Sequence, residues 1–263
     1  MCKPASFVMS RRRVWWHPTS DGHEDIIVKY RIKVEGVRGV NTVPVEIAPD
    51  DGDLSRPLDE WAFRVDVAGY ARDLPDWWDA EREERRARAA LVDWAKARLT
   101  GWRVHEAFHP VHPFRTSPES MAPERVRELV RQWSSVRDSV WSSVWGSVRD
   151  SVWDSVENSV WDSVRDSVQD SVWGSVRDSV WGSVGGSVWD SVGGSVWDSV
   201  GAYTGSLFPN ITAWHGTTLE RPWDGLRELW LSGRVPSNDG TTWRVHTGPD
   251  GRVEMCFNRG EVA

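Results

Sequence analysis

The feature that most constrains this chain is a tetrapeptide repeat that runs from Ser135 to Val200 without a slip. It contains seventeen Ser-Val pairs spaced four residues apart. The third position of the repeat holds Trp eight times and Arg four times, and the fourth holds Asp nine times and Gly five times. The fold of this segment must therefore accommodate a strict period of four.

An α-helix accommodates that period poorly over a long span. Four residues advance about 400° around a helix, so a valine stripe drifts by about 40° per repeat and never faces one flat core. Val, Ser, Asp and Gly are also indifferent or poor helix formers. A β-strand has a side-chain period of two, with which a period of four is commensurate.

We therefore predict a β-solenoid in which three extended residues and a corner repeat along the axis. The fourth position supplies the corners, because Asp, Gly, Asn and Ser are residues that turns prefer. A triangular prism is favoured over a four-sided one, because valine is the only invariant apolar residue and suits a narrow interior. The predicted interior ladder consists of Val136, Val140, Val144, Val148, Val152, Val156, Val160, Val164, Val168, Val172, Val176, Val180, Val184, Val188, Val192, Val196 and Val200.

The third and fourth positions are predicted to face outward. They form either a solvated surface without a ligand or a binding face of stacked Trp rings beside an acidic rim. A rod of regularly spaced acids could also resemble DNA to a DNA-binding protein. The candidate binding surface consists of Trp153, Trp161, Trp173, Trp181, Asp150, Asp154, Asp162, Asp166 and Asp170.

The repeat separates three predicted domains. An α+β domain covers residues 1–132, the solenoid covers 133–202, and a small module of strand, helix and hairpin covers 203–263. Alternation and turn signals predict strands over 25–35, 43–47, 63–67 and 211–214, helices that start near Asp76 and at Pro123, a helix over 222–233, and a hairpin that turns at 249–251.

Charge and cysteine content restrict the class of protein. The net charge is −7, and the ten acids and four arginines of the repeat account for −6 of it, which argues against direct binding of nucleic acid. Cys2 and Cys256 lie at opposite ends of the chain, which suits a reducing compartment. No apolar run has the length of a signal peptide or a membrane span, so we expect a cytoplasmic protein.

The repeat resembles the SVRDSVWDSV tracts of proteins from actinobacteria and their phages. The stretch DLPDWWDAEREERRARAALVDW (73–94) is similar to the Trp-Trp, Glu/Arg-rich helix that precedes the repeats in that group. The resemblance covers residues 60–200 at most and contains no catalytic motif. It implies a protein encoded by a phage or another mobile element. Pentapeptide-repeat proteins are similar in logic, but their unit is one residue longer, so their fold and gyrase binding transfer only as an analogy.

Three short motifs carry further hypotheses. His215-Gly216-Thr217-Thr218 is similar to the HGT element of ADP-ribosyltransferases, although a simple turn explains it as well. The segment 105–112 contains His105, Glu106, His109 and His112, which are zinc-ligand types, but its two prolines break any single helix face, so we predict no metal site. Arg11-Arg12-Arg13 could contact phosphate or an acidic partner, and a solvated amino-terminal arm is the favoured interpretation.

These observations predict a non-enzymatic binding or scaffolding protein with no cofactor. A protein partner is expected, self-association is possible, and no membrane contact is expected. The alternative is an enzyme similar to ADP-ribosyltransferases that uses the element at 215–218.

Overall fold

The computed structural model describes residues 4–33, 41–66, 74–115, 117–136, 140–151, 160–181 and 189–261. These residues fall into two compact units. The first comprises the described residues up to Thr100, and the second comprises those from Gly101 onward. No helix in these ranges combines the length and the apolar character needed to cross a membrane.

The first unit is an antiparallel sheet with two α-helices in its described part. The strand order is β2-β1-β3-β4, so β1 and β3 are central. Phe7 of β1 pairs with Val45 of β3, and Ile47 of β3 pairs with Phe63 of β4. The elements are β1 (Ala5–Met9), β2 (Val14–Trp15), α1 (His23–Lys29), β3 (Val43–Ala48), a 3-10 helix (Leu58–Glu60), β4 (Ala62–Val65) and α2 (Ala80–Arg98).

Two of the predicted strands in this unit are confirmed. β3 matches the segment 43–47 and β4 matches the described part of 63–67, since Val67 lies outside the described residues. The predicted helix also exists, but it begins at Ala80, where the Asp79 side chain accepts a hydrogen bond from the Arg82 N–H at 2.9 Å. An acceptor at this position caps an otherwise unpaired donor of the first turn.

The strand predicted over 25–35 is wrong, because residues 23–29 form helix α1. Only one apolar residue of that helix is fully buried, Ile26, while Val28 is 74 % exposed, so the alternating pattern does not face a core. Glu24 and Asp25 in the first turn and Lys29 in the last turn oppose the helix dipole favourably. The sheet position beside β3 is filled instead by β1, all five residues of which are buried.

The second unit combines helices with an antiparallel sheet of order β5-β6-β7. Its elements are α3 (Val104–Phe108), a 3-10 helix (Pro113–Arg115), α4 (Pro123–Ser134), α5 (Val140–Ser151), a π-helix (Arg165–Gln169), α6 (Asp170–Trp181), α7 (Trp189–Ser206), α8 (Asp224–Leu231), β5 (Arg234–Asn238), β6 (Thr242–Thr247), β7 (Arg252–Asn258) and a 3-10 helix (Arg259–Glu261). The helix predicted from Pro123 is confirmed by α4, with Pro at its first position.

The described residues 140–151, 160–181 and 189–200 of the repeat are helical, and only Ser135 and Val136 lie in a turn, so the β-solenoid prediction, triangular or four-sided, is wrong. The valine stripe would drift all the way around the helix only if one helix spanned most of the repeat. In the 12-residue helices α5 and α6 the stripe drifts by only about 120° over three repeats, which is close to the width of an ordinary apolar helix face.

Two further features keep the stripe on the core. Residues 160–181 are helical throughout and contain the π-helix Arg165–Gln169. A π turn takes more residues than an α turn, so it rotates the stripe against the drift. Serine widens the buried face, because Ser143, Ser147, Ser195 and Ser199 are buried beside the valines.

Helix α7 packs its serines against the free edge of strand β5. The Ser195 hydroxyl oxygen accepts a hydrogen bond from the Asn238 N–H at 2.8 Å and donates to the Val192 carbonyl at 3.0 Å. The Ser199 hydroxyl has two possible acceptors. They are the Ser195 carbonyl at 2.9 Å and the Pro236 carbonyl at 3.3 Å. Backbone groups two residues apart point to the same side of a strand. Two serines four residues apart on the helix can therefore form hydrogen bonds with two backbone groups on the same edge of β5.

The variable third position of the repeat also has a packing role. A Cβ atom on Gly193 would lie 3.0 Å from the ring of Trp173 on helix α6. The large side chain of one helix therefore packs over the missing side chain of another. This explains why Gly and Trp alternate at equivalent positions of the repeat.

The carboxy-terminal predictions are met in part. The hairpin is confirmed by β6 and β7, with a turn over 248–251, and the helix over 222–233 is confirmed by the shorter α8. The strand predicted over 211–214 is wrong, because those residues lie in a segment without regular structure. Strand β5 was not predicted, because Pro236 and its polar neighbours lack a strand pattern; the proline is tolerated because β5 is an edge strand.

We expect Ser195→Ala to lower the free energy of unfolding by about 1–3 kcal/mol, because it leaves the buried N–H of Asn238 without its acceptor. The matched control is Gly194→Ala in the same helix, where a Cβ meets nothing within 4 Å. That control should raise stability by up to about 1 kcal/mol. Urea unfolding of both variants measures the difference, and equal shifts would contradict the role given to the serine.

Candidate functional site

The first unit contains a basic cleft of about 680 Å³. Five cationic side chains line it, and none of the described lining residues is acidic. Three aromatic rings share the same lining. The cations are Arg11, Arg12, Arg13, Arg31 and Lys33, and the rings are Trp15, Tyr30 and Trp77.

Arg11, Arg12 and Arg13 occupy the turn between β1 and β2, so the favoured interpretation of a solvated arm is wrong. The Ser10 N–H donates to the Arg13 carbonyl at 2.8 Å, and the Ser10 hydroxyl oxygen accepts the Arg13 N–H at 3.2 Å. Arg86 of helix α2 donates to the Ser10 carbonyl at 3.1 Å. The turn is therefore fixed by its own hydrogen bonds and by a neighbouring helix, and its three guanidinium groups are exposed.

Arg86 is itself held by a buried carboxylate. Glu83 has no exposed surface and accepts hydrogen bonds from both Arg82 and Arg86. A buried carboxylate with two charge-assisted partners holds the long arginine side chains in one geometry. Its role is to position the turn.

The opposite wall of the cleft begins at the carboxyl end of helix α1. The Ile32 N–H bonds to the Ile27 carbonyl at 3.0 Å and the Arg31 N–H bonds to the Val28 carbonyl at 3.2 Å. This pair of bonds is a Schellman cap, which places Arg31 in the left-handed region with φ of 50°. Glycine is the usual residue there, and an arginine costs about 1–2 kcal/mol. Such strain is typical of functional positions.

Two side-chain contacts hold the aromatic and cationic parts of this wall. The Tyr30 hydroxyl donates to the Trp16 carbonyl at 3.1 Å, which connects the end of α1 to the residue after β2. Asn41 donates to the Lys33 carbonyl at 2.6 Å. Tyr30 is 44 % exposed, so its ring is available to a ligand. The cleft thus offers charge for phosphate groups and rings for stacking, and its described lining contains no nucleophile–base pair.

The described valines of the predicted ladder lie in helices, except Val136, which lies in a turn. Twelve of the repeat valines have described side chains, and all twelve are buried: Val136, Val140, Val144, Val148, Val160, Val164, Val168, Val172, Val176, Val192, Val196 and Val200. The side chains of Val152, Val156, Val180, Val184 and Val188 lie outside what the structure describes.

The Trp rings of the candidate repeat surface pack within the second unit. Trp161 lies edge to face with Trp145 at 4.8 Å and stacks with Trp197 at 6.1 Å between ring centroids. Trp173 is half-buried over Gly193. Trp153 and the side chain of Trp181 fall outside the described part. The described rings therefore do not form a continuous outward ladder.

The acids of that surface are partly neutralised within the repeat. Asp162 and Asp166 each lie 3.0 Å from Arg165, while Asp170 is exposed at the start of α6. Asp154 and the side chain of Asp150 are outside the described residues. The exposed charge is less regular than a period of four suggests.

The element at 215–218 lies in an exposed turn and not at the end of a strand. The His215 N–H donates to the Ser147 hydroxyl at 2.9 Å, and a Cβ atom on Gly146 would lie 2.6 Å from the His215 ring. These contacts with a serine and a glycine of the repeat help to position His215.

In the histidine-rich segment 105–112 the rings of His105 and His109 lie 4.6 Å apart between centroids, while Glu106 and His112 make separate contacts. Arg227 binds Glu106 through two hydrogen bonds of 2.6 and 2.7 Å, and the Tyr203 hydroxyl donates to the same carboxylate at 3.0 Å. Burial opposes ionisation of Glu106, but the bonds from Arg227 outweigh it and hold the pKa of this carboxyl below its usual value. The His112 ring lies 2.9 Å from the Ser171 hydroxyl. These contacts tie α3 to α7 and α8.

A serine–histidine pair that sequence reasoning missed lies inside the second unit. The His246 Nε2 atom lies 2.7 Å from the Ser237 hydroxyl, and Nδ1 lies 2.8 Å from the Gly251 carbonyl. Because a carbonyl only accepts, Nδ1 carries the proton and Nε2 accepts from the serine. Both residues are fully buried, so no substrate reaches them. The pair holds β5, β6 and the hairpin turn together.

Burial lowers the pKa of His246 to about 4 from 6.5. The ring stabilises the fold while neutral, so its contribution is present above pH 6.5 and is lost as pH falls toward 4, by up to about 3 kcal/mol. His246→Asn should be less stable at pH 7 but should lose less further stability between those pH values. Urea unfolding across this range tests it, and equal pH dependence in both proteins would contradict it.

Comparison with protein-family models, with curated proteins and with solved structures finds no match. The resemblance to SVxD-repeat proteins of actinobacteria and their phages therefore stays a prediction. The geometry of the basic cleft is the basis for assigning a function.

Proposed function

We propose that this chain is a non-enzymatic binding protein whose basic cleft takes a phosphate-bearing planar ring. The ligand is a nucleotide unit, either within single-stranded nucleic acid or free. The observation that carries the proposal is that five cations and three aromatic rings surround one cleft without a described acid among them. Guanidinium groups bind phosphate through paired hydrogen bonds, and exposed rings stack on bases.

The proposal departs from the sequence expectation on nucleic acid. That expectation used the net charge of the whole chain, of which the repeat accounts for −6. Local charge decides where a ligand binds, because exposed charges beyond about 10 Å are screened at ordinary ionic strength. The protein partner expected for the acidic repeat stays a separate prediction.

The alternative of an ADP-ribosyltransferase is not adopted. His215 lies in a turn, and the strand that would precede it is absent from residues 211–214. A binding role in the cytoplasm is supported by Cys256, which is an exposed free thiol and suits a reducing compartment. The phage or mobile-element origin implied by the resemblance is compatible with such a role.

The sharpest test uses Arg31→Gly. Removing one cation from the cleft should weaken binding of a fluorescein-labelled oligothymidylate, by about three- to tenfold at low salt. The same change should raise the free energy of unfolding by about 1 kcal/mol, because glycine suits the left-handed cap. Fluorescence anisotropy and urea unfolding measure the two effects, which have opposite signs.

Arg31→Lys keeps the charge and the strained cap, so it should retain most of the affinity. The exposed Arg252 of β7 provides a charge control, since Arg252→Ser should leave binding unchanged. Affinity of the unaltered protein should fall steeply from about 50 to about 200 mM salt. Unchanged affinity in Arg31→Gly would contradict the proposal.

Two further ligands separate the possible sources. Thymidine monophosphate tests whether one free nucleotide suffices, and inorganic polyphosphate supplies charge without rings. Weaker binding of polyphosphate than of the oligothymidylate is expected, because the rings of Trp15, Tyr30 and Trp77 would have nothing to stack on. Equal affinity would contradict the role given to the rings.

A further inference from the structure

Three side chains of metal-ligand type converge in the first unit at a place that the cleft does not use. His23 begins helix α1, Glu46 belongs to strand β3, and Asp66 follows strand β4. One ligand atom from each lies within 4.8 Å of the others. His23 is 1 % exposed, and the two carboxylates are half-buried. The fold therefore brings together residues that are distant in sequence.

The hydrogen bond of the His23 ring determines which nitrogen faces the carboxylates. The Nε2 atom lies 3.3 Å from the Val45 carbonyl. Because a carbonyl only accepts, Nε2 carries a proton. In a neutral ring Nδ1 then carries the lone pair, and that atom lies 3.4 Å from the Asp66 carboxylate.

A lone pair that faces a carboxylate is repulsive unless a positive charge lies between them. The charge is either a second proton on the ring or a metal ion that replaces it. Donation of the other ring nitrogen to a backbone carbonyl is the arrangement that orients histidine ligands in metal sites. Two carboxylates and a neutral imidazole also balance the charge of a divalent cation.

The distance between Nδ1 and the Asp66 oxygen fits a tetrahedral ion. Ligand atoms about 2.1 Å from zinc are about 3.4 Å from one another at tetrahedral angles, and the observed separation is 3.4 Å. The Asp66 backbone is fixed, because its N–H donates to the Pro44 carbonyl at 3.0 Å. The ligand atom of Glu46 lies within 4.8 Å of those of the other two residues, so the three side chains can reach one ion.

We propose that His23, Glu46 and Asp66 bind a divalent transition-metal ion, with Zn²⁺ as the preferred ion. Mixed nitrogen and oxygen ligands suit zinc and exclude a thiolate-type site. The ion joins α1, β3 and β4. It stabilises the first unit by binding the folded state, independently of any ligand in the cleft.

The test begins with the full chain freed of metal by a chelator. Addition of zinc chloride should raise the thermal midpoint, and calorimetry should show one site. Glu46→Gln and Asp66→Asn preserve side-chain size and should each weaken zinc binding at least about tenfold. A control with His105→Asn, His109→Asn and Cys256→Ser removes other potential ligands and should bind zinc like the parent.

A second measurement needs no variant. A long-range ¹H–¹⁵N imidazole spectrum of the unaltered protein should show one histidine whose Nδ1 resonance moves on zinc addition while its Nε2 stays protonated. Cobalt in place of zinc should give the intense visible absorption of a tetrahedral site without a thiolate charge-transfer band. Unchanged histidine resonances would overturn the proposal and leave a doubly protonated ring that bridges Val45 and Asp66. So would zinc affinity that survives both carboxylate variants in folded protein.

Discussion

The packing of helix α7 against the edge of strand β5 is the interaction on which the second unit depends. The hydroxyl of Ser195 supplies an acceptor that the edge N–H of Asn238 would otherwise lack inside the protein. The neighbouring valines, among them Val196 and Val200, contribute the apolar burial. The serines of the repeat thus provide hydrogen bonds for the sheet edge, and the valines provide apolar surface for the core.

In the first unit, the sheet positions exposed cationic side chains around the cleft. The β1–β2 turn presents Arg11, Arg12 and Arg13, while the cap of α1 presents Arg31 in a backbone conformation that favours glycine. Buried Glu83 anchors the turn through Arg86. The cleft is thus a fixed array of cations beside aromatic rings, which is the arrangement that phosphate and base recognition require.

Local signals allowed part of this fold to be predicted from the sequence. For strand β3, helix α4 and the β6–β7 hairpin, the hydrophobic pattern and the turn residues each indicate a single secondary structure. The strand predicted over 25–35 is wrong because its alternating side chains do not pack against a sheet. Glu24 and Asp25 in the first turn and Lys29 in the last turn favour a helix instead. The prediction for the repeat was wrong because the π-helix Arg165–Gln169 offsets the drift of the valine stripe and because serine shares the buried face with valine. The period of the sequence reveals neither feature. The sequence pointed only to Arg11–Arg13 of the cleft. Arg31 and Lys33 reach the same place through the fold of the first unit, which the sequence does not reveal.

The central claim is that the repeat forms helices with a buried Ser-Val face. Its most direct test is the Cα chemical shift of the repeat valines in protein labelled with ¹³C at valine. Helical backbone moves these resonances downfield of their random-coil position, and extended backbone moves them upfield. We expect downfield shifts for valines of α5, α6 and α7, such as Val144, Val172 and Val196. Upfield shifts at these positions would contradict the helical repeat and restore a β architecture.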